Sequence, residues 1–283
     1  MTDEKLKPVY IECKDYTVSG EKFELLYNKK YDSLETHPRP SIKDLPNYYL
    51  SEDYISHTDA KRNLFEKLYH GIKSYMLQKK VDLINQRVSV KGRLLDIGAG
   101  TGDFLVAANK EGWSTYGVEP NIEARNIALT KNINLVDELS NLPVQKYDVI
   151  TLWHVLEHIP DLDVTFNQIQ KYLDTNGILI VAVPNYKSYD ATYYKEFWAA
   201  YDVPRHLWHF SKKSIKNISK EYGFELLSTK PMIFDSFYVS LLSEKYKSGK
   251  MNFLKGFYIG LLSNFKAMRS KEFSSHIYIL KKA

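Results

Sequence analysis

Two clusters of residues in this 283-residue chain are of types that do chemistry. The first is the turn in "RLLDIGAGTGDFL", where Asp96, Gly98, Gly100 and Gly102 stand at alternate positions and Asp103 follows. Glycines let a backbone approach a ligand closely and adopt angles closed to other residues. A dinucleotide turn, G-x-G-x-x-G, would place a pyrophosphate on a helix N-terminus. Here the third glycine comes one residue early, and Asp103 takes its place. A carboxylate there caps free N–H groups and repels a phosphate. The turn therefore favours a ligand without phosphates and with a cationic or zwitterionic end. The second cluster is "HVLEH", which holds His154, Glu157 and His158. Histidine is the side chain that exchanges protons near neutrality. H-x-x-E-H is also a zinc-protease pattern, but that use needs a helix and a further ligand downstream. This copy leaves a strand shortly before Pro160, so the protease reading is set aside.

The elements around these clusters form a regular alternation. From Arg93 onward, short apolar runs ("RLLDIG", "STYGVEP", "YDVITLW", "GILIVAVP") are separated by stretches of helical spacing such as "DFLVAANKEG" and "DVTFNQIQKYLD". Near-continuous apolar strands alternating with helices predict a parallel sheet covered on both faces. Ser211 is placed to cap the helix in "SKKSIKNISKEYG", and Gly223 to end it. "FELLSTK" and "SHIYILKK" should close the sheet, with a helical insertion at about 235–271 between them. The expectation is a doubly wound, Rossmann-like, mostly parallel α/β sheet of seven strands over residues 91–283. Residues 1–90 should form a cap made of a hairpin and a long amphipathic helix.

Composition adds bounds. A net charge of +5 permits nucleic acid or an acidic surface as partner and requires neither. The single cysteine, Cys13, excludes an internal disulfide and fits a reducing, cytoplasmic setting. The start "MTDEKLKPVY" has no apolar signal core, and "GILIVAV" is too short to span a bilayer.

S-adenosylmethionine, with its sulfonium, ammonium and carboxylate, is a ligand of the kind the glycine turn favours. At this point the sequence resembles the class I S-adenosylmethionine-dependent methyltransferases. Motif I is matched at Asp96, Gly98, Gly100 and Gly102. "YGVEP" matches the acid that ends the second strand, "YDVITLWHVLEHIPD" the fourth-strand motif, and "PRHLWHFS" the segment after strand five in bacterial small-molecule members. The match covers about 93–229. It implies that Asp96, Gly98, Ala99, Gly100 and Gly102 face the methionine end of the donor, or its product S-adenosylhomocysteine. It also implies that Glu119 and Pro120 lie at the ribose, Asp137 at the adenine, and His154 at the donor, while Trp153 either lies against the adenosine or sulfonium or packs in the core. The fourth-strand segment is similar to E-x-x-E-H of the ubiquinone-biosynthesis O-methyltransferases, some of which bind a divalent metal there. His154 replaces the first acid, so no metal is expected. Family members with a cysteine-rich N-terminal zinc module are also similar, but Cys13 is the only cysteine here.

Methyl transfer to a hydroxyl needs a base, and His158 is the first candidate, with His206 in reserve. Glu157 should orient the loop. On the substrate side, aromatic residues from Tyr189 to Tyr201, Trp198 among them, recur at helical spacing. Either they pack on the cap or they form a wall for an apolar or ring-bearing acceptor. Arg205 could hold a carboxylate or phosphate, and His209, Tyr49 and His57 should lie near the acceptor. The expected function is methyl transfer to a small molecule, at oxygen in preference to nitrogen or carbon. An RNA or modified-nucleoside methyltransferase and a non-catalytic binder of the donor are the alternatives. No DNA partner is expected. The late insertion, rich in lysine around "FLKGFYIGLL", either touches an anionic membrane or carries solvated lysines around a packed helix, the second being favoured.

Overall fold

The computed structural model describes residues 7–49 and 64–283. An N-terminal meander of β1 (Val9–Lys14), β2 (Lys22–Asn28) and β3 (Ser33–His37) precedes a long helix, α1 (Leu64–Asn85). Strands and helices then alternate: β4 (Arg93–Ile97), α2 (Asp103–Lys110), β5 (Ser114–Val118), α3 (Ile122–Thr130), β6 (Tyr147–Trp153), α4 (Leu162–Tyr172) and β7 (Leu173–Pro184). After these come α5 (Tyr189–Tyr194), the two-residue β8 (Trp208–His209), α6 (Lys212–Glu221) and β9 (Phe224–Pro231). Two helices, α7 (Asp235–Ser248) and α8 (Phe253–Ser270), lead to β10 (Ser275–Lys282).

The main sheet has the order β5-β4-β6-β7-β10-β9. Its β5–β4, β4–β6 and β6–β7 pairings are parallel, whereas β10 runs antiparallel to both neighbours. Six strands are thus present among the described residues, where the sequence predicts seven. The missing one is reduced to a single parallel bridge, Val118 to Val136. Its segment, "NINLVD", lies at the sheet edge and buries only Ile133 and Leu135, so one ladder contact suffices.

The central strands read as continuous apolar runs because both sheet faces are covered. Leu94 and Val149 point to a core with Val81 and Ile84 of α1 and Phe104 and Leu105 of α2. Their neighbours Leu95 and Ile150 point the other way, against Phe166 and Ile169 of α4 and Ile215 and Ile218 of α6. Ser211 caps α6 in a capping box with Ser214.

The second sheet, β1-β2-β3-β8, joins the N-terminal meander to a strand from the segment after β7. Leu34 pairs with His209 and Glu35 with Trp208. Helices α7 and α8 pack through small residues. A Cβ at Gly256 would fall 2.9 Å from the Leu241 backbone, and one at Gly260 2.8 Å from that of Phe237. Among the described residues, no helix is long and apolar enough to cross a membrane.

Candidate active site

The glycine turn joins β4 to α2. Gly98, Gly100 and Gly102 have φ of 72°, 53° and 76°, the left-handed region where a side chain is strained. Their surroundings differ. A Cβ at Gly98 would fall 2.3 Å from Val155, and one at Gly102 3.1 Å from Ala128, but one at Gly100 would meet nothing within 4 Å. Packing therefore excludes a side chain at Gly98 and crowds one at Gly102, while Gly100 fronts open space. The N–H groups of Gly98 and Ala99 donate to the Val118 carbonyl at 2.8 and 2.9 Å. The Gly100 N–H donates to Glu119 Oε2 at 2.8 Å, and the Asn121 N–H donates to Oε1 at 2.9 Å. Glu119, just past β5, thus stitches the strand end to the turn. Exposed Pro120 follows it. Asp137 lies one residue beyond the Val136 bridge, exposed, and a hydrogen bond from Asn141 at 2.7 Å holds its carboxyl low. Asp103 departs from the role expected of it. It is not a cap for α2; it pairs with Lys131 Nζ at 2.6 Å, which offsets its charge.

Asp96, 3% exposed, lies opposite Thr151 in the parallel register of β4 and β6. The Thr151 hydroxyl donates to its Oδ1 at 2.6 Å. Burial pushes the Asp96 carboxyl up to about 7, against the opposing pull of Thr151 and the Lys80 ammonium. Lys80, from α1, stands 4.5 Å over the Trp153 ring and also feels Asp235. Trp153 ends β6, packs edge-on to Phe104, and buries its indole N–H without a partner. His154 follows at φ 57°. Its Nδ1 lies 3.3 Å from Glu157 Oε1 and its Nε2 3.1 Å from Asp235 Oδ2. Burial opposes charge on this ring, but the bonds to Asp235 and Glu157 outweigh it and raise His154 to about 10. His154 is therefore an imidazolium at neutral pH. Asp96 and Asp235 lie near the Lys80 ammonium, Asp235 and Glu157 near the His154 imidazolium, and the Glu119 carboxylate near Asp96. Acidic groups thus outnumber basic ones, which suits a cationic ligand.

His158 has a different environment. Its Nδ1 lies 3.1 Å from the Arg205 carbonyl and 3.1 Å from the Tyr49 hydroxyl. A carbonyl only accepts, so the proton sits on Nδ1 and the lone pair on Nε2. Burial and then His206 hold His158 near 4, so the ring is neutral at pH 7. The His206 ring stands 4.5 Å away, edge-on, with Nδ1 2.9 Å from the Ala200 carbonyl. Glu157 is 1% exposed, and neither of its oxygens accepts an aligned hydrogen bond. Glu157, His158 and His206 each bring one ligand atom within 4.8 Å of the others, a donor set able to hold a divalent cation. It differs from E-x-x-E-H in drawing His206 from the segment after β7.

Other expected residues are used differently. Arg205 is 1% exposed, and its guanidinium donates to Asp15, to both oxygens of Asp202 and to the Tyr48 carbonyl. It ties the N-terminal meander to the segment after β7, which corrects its expected role at a substrate carboxylate. Trp198, 2% exposed, donates its indole N–H to Asp190 and packs against Tyr201 in the core beneath the meander. That burial removes it from any acceptor wall. His209, 4% exposed, faces the Thr36 hydroxyl at 3.1 Å inside the second sheet, and burial pushes its ring well below the usual histidine range. It too is structural. Tyr49 reaches the site through His158, while His57 lies outside the described residues.

Comparison with known proteins gives this arrangement its family. A family model described as a methyltransferase domain matches residues 69–229, more than half of the chain. The chain belongs to the methyltransferase-domain family. It is a class I, S-adenosylmethionine-dependent member. Similar proteins include the ubiquinone biosynthesis O-methyltransferases of Pelagibacter ubique, 29% identical over 46% of this chain, and Bradyrhizobium diazoefficiens, 28% identical over 33%. The chain spans only 64% and 40% of the lengths of these two relatives. Among solved structures, the magnesium protoporphyrin IX methyltransferase of Synechocystis aligns over 85% of this chain and all of its own, at 15% identity and TM-score 0.55. The geranyl diphosphate C-methyltransferase of Streptomyces coelicolor aligns over 80% of this chain and 86% of its own, at 13% identity and TM-score 0.55. At these identities the structural matches speak for the fold.

The methyltransferase donor fits the residues present. Open space stands in front of Gly100, the buried Asp96 carboxylate can meet an ammonium, and the Trp153 N–H lacks a protein partner. Sequence reading missed Lys80, Thr151 and Asp235. Thr151 was findable as the residue of β6 level with Asp96. Asp235 had a weaker signal, an acid at the first position of an insertion helix.

Proposed function

We propose that this protein transfers a methyl group from S-adenosylmethionine to a small-molecule acceptor at oxygen. The observation that carries the choice of oxygen is His158, whose Nδ1–H is held by the Arg205 carbonyl and whose Nε2 keeps its lone pair. The names of the two ubiquinone biosynthesis O-methyltransferases cited above support the same reading. When bound, S-adenosylmethionine supplies a methyl carbon on a positively charged sulfur. The glycine turn and Glu119 hold the donor in place, and Asp96 receives its ammonium. With the donor bound, His158 Nε2 would take the acceptor's hydroxyl proton while the methyl carbon passes to the acceptor oxygen and the C–S electron pair stays with sulfur. Fixing the reacting atoms in line supplies much of the rate, and the base the rest. Tyr49 steadies the His158 ring from the N-terminal segment.

The acceptor is apolar or ring-bearing. With Trp198 in the core, apolar surface near the site comes instead from Tyr75 of α1 and Phe234, which meet edge-on at 6.3 Å and remain substantially exposed. Phe234 directly precedes Asp235, the partner of His154. Calorimetric titration with S-adenosylhomocysteine, followed by a screen of phenolic and aliphatic hydroxyl acceptors with the labelled donor, tests this. Product methylated at nitrogen or carbon alone would refute transfer to oxygen. Activity lost on nuclease treatment of the acceptor pool would redirect the assignment to RNA.

A further inference from the structure

Helix α8 turns its large apolar residues outward. Leu254, Phe257, Tyr258, Leu261, Phe265 and Met268 are 87%, 60%, 61%, 52%, 70% and 64% exposed. At 3.6 residues per turn they fall within an arc of about 100°, one continuous stripe along the helix. The opposite face is buried and small: Gly256, Gly260, Ser263 and Ala267, with Ile259. Contact with α7 imposes this arrangement, because even a Cβ at Gly256 or Gly260 would strike the α7 backbone. The outward stripe therefore cannot exchange places with the inward face. Soluble surfaces rarely keep so many bulky apolar groups contiguous without a partner.

Charge identifies that partner. Residues 245–271 hold seven Lys or Arg and no Asp or Glu. On α8 itself Lys255, Lys266 and Arg269 line one flank of the stripe. The buried Glu244 is paired with Lys255 at 3.1 Å, and Lys266 rests 3.7 Å over the Tyr189 ring. A second copy of this chain meeting stripe to stripe would set the same basic patch against itself if the helices run antiparallel, and would leave both patches without an acidic partner if they run parallel. An anionic surface would do neither.

We propose that α8 lies flat on an anionic lipid bilayer, its apolar stripe among the acyl chains and its basic flank at the headgroups. Helices of this make-up bind in the interface plane, through buried apolar area together with attraction to acidic lipids. The proposal stands apart from the assignment of methyl transfer, since it uses none of the residues of the glycine turn.

The test is co-sedimentation of the full chain with vesicles of phosphatidylcholine alone and with about one-third phosphatidylglycerol. The wild type should pellet with the anionic vesicles and stay in solution with the neutral ones. Leu254→Glu with Phe265→Glu, both on exposed positions, should abolish pelleting while leaving the far-ultraviolet circular dichroism unchanged. Lys266→Glu with Arg269→Glu should weaken binding to anionic vesicles at least about twentyfold. Wild-type protein that remains in solution with both vesicle types overturns the proposal. So does pelleting that the acidic double variant retains. A dimer in solution that Phe265→Glu dissociates, with no vesicle binding, would assign the stripe to a second copy instead.

Discussion

Asp96→Asn should make the donor-free protein more stable and less able to bind its donor. Burial raises the Asp96 carboxyl from 3.8 to about 7. The folded state then holds a proton that the unfolded state has released, so stability falls as pH rises from 3.8 and levels off above 7. Asparagine keeps an oxygen for the Thr151 hydroxyl and has nothing to ionise. The advantage of the variant grows from about 2 kcal/mol at pH 5 to about 4 kcal/mol at pH 8, taking 1.4 kcal/mol per pH unit. At pH 8 this corresponds to a melting temperature higher by roughly 8 °C. Thermal melts of both proteins at pH 5 and pH 8 read the difference. Calorimetry with S-adenosylhomocysteine reads the other side, because its ammonium needs the carboxylate. Wild-type affinity should climb about tenfold per pH unit below 7 and flatten above, and the variant should bind weakly throughout. A variant less stable than wild type by the same margin at both pH values would refute the reasoning. So would wild-type affinity that is flat from pH 5 to 8.

Three further outcomes follow from the site. Replacing His158 with Ala should leave affinity for S-adenosylhomocysteine unchanged and lower kcat by about 100- to 10,000-fold; unchanged kcat in a single-turnover assay would remove His158 as base. Gly100→Val puts a branched side chain at φ 53° into the space in front of the turn. Its backbone strain of about 1–3 kcal/mol should be tolerated, while calorimetry should detect no donor binding. In Asp235→Asn, the His154 ring, now near 10, should titrate at lower pH by nuclear magnetic resonance. A raised imidazole pKa adds stability that is complete below 6.5 and gone above 10, so the stability lost in this variant should be largest in the acid range.

The glycine turn was legible because its requirements are local. Backbone angle and close approach are set within a few residues, and the spacing of Gly98, Gly100 and Gly102 displays them. Alternation of apolar runs likewise announced the doubly wound sheet, since covering both faces makes each central strand apolar throughout. The edge was less legible: "NINLVD" carries the pattern of a strand, but pairing on one side alone leaves only the Val136 bridge. Long-range partners were not legible at all. Arg205 looked available for a substrate because Asp15, its partner at 2.9 Å, stands in the N-terminal meander. The charge on His154 was not legible because Asp235 arrives from an insertion. The aromatic run from Tyr189 to Tyr201 has helical spacing, and spacing does not say whether such a face meets a ligand or a neighbouring sheet.

The pairing of β3 with β8 bears on how the chain reaches its native state. Leu34 finds His209 about 175 residues later in the sequence. At a synthesis rate of about 5–20 residues per second, the meander leaves the ribosome roughly 10–35 s before its docking strand exists. During that interval Phe23, Leu25 and Leu34, all deeply buried in the finished protein, have no completed core to enter. The meander is thus made well before the strand that completes it and is among the last parts to settle, and nascent chains halted before Trp208 should be captured by chaperones through it.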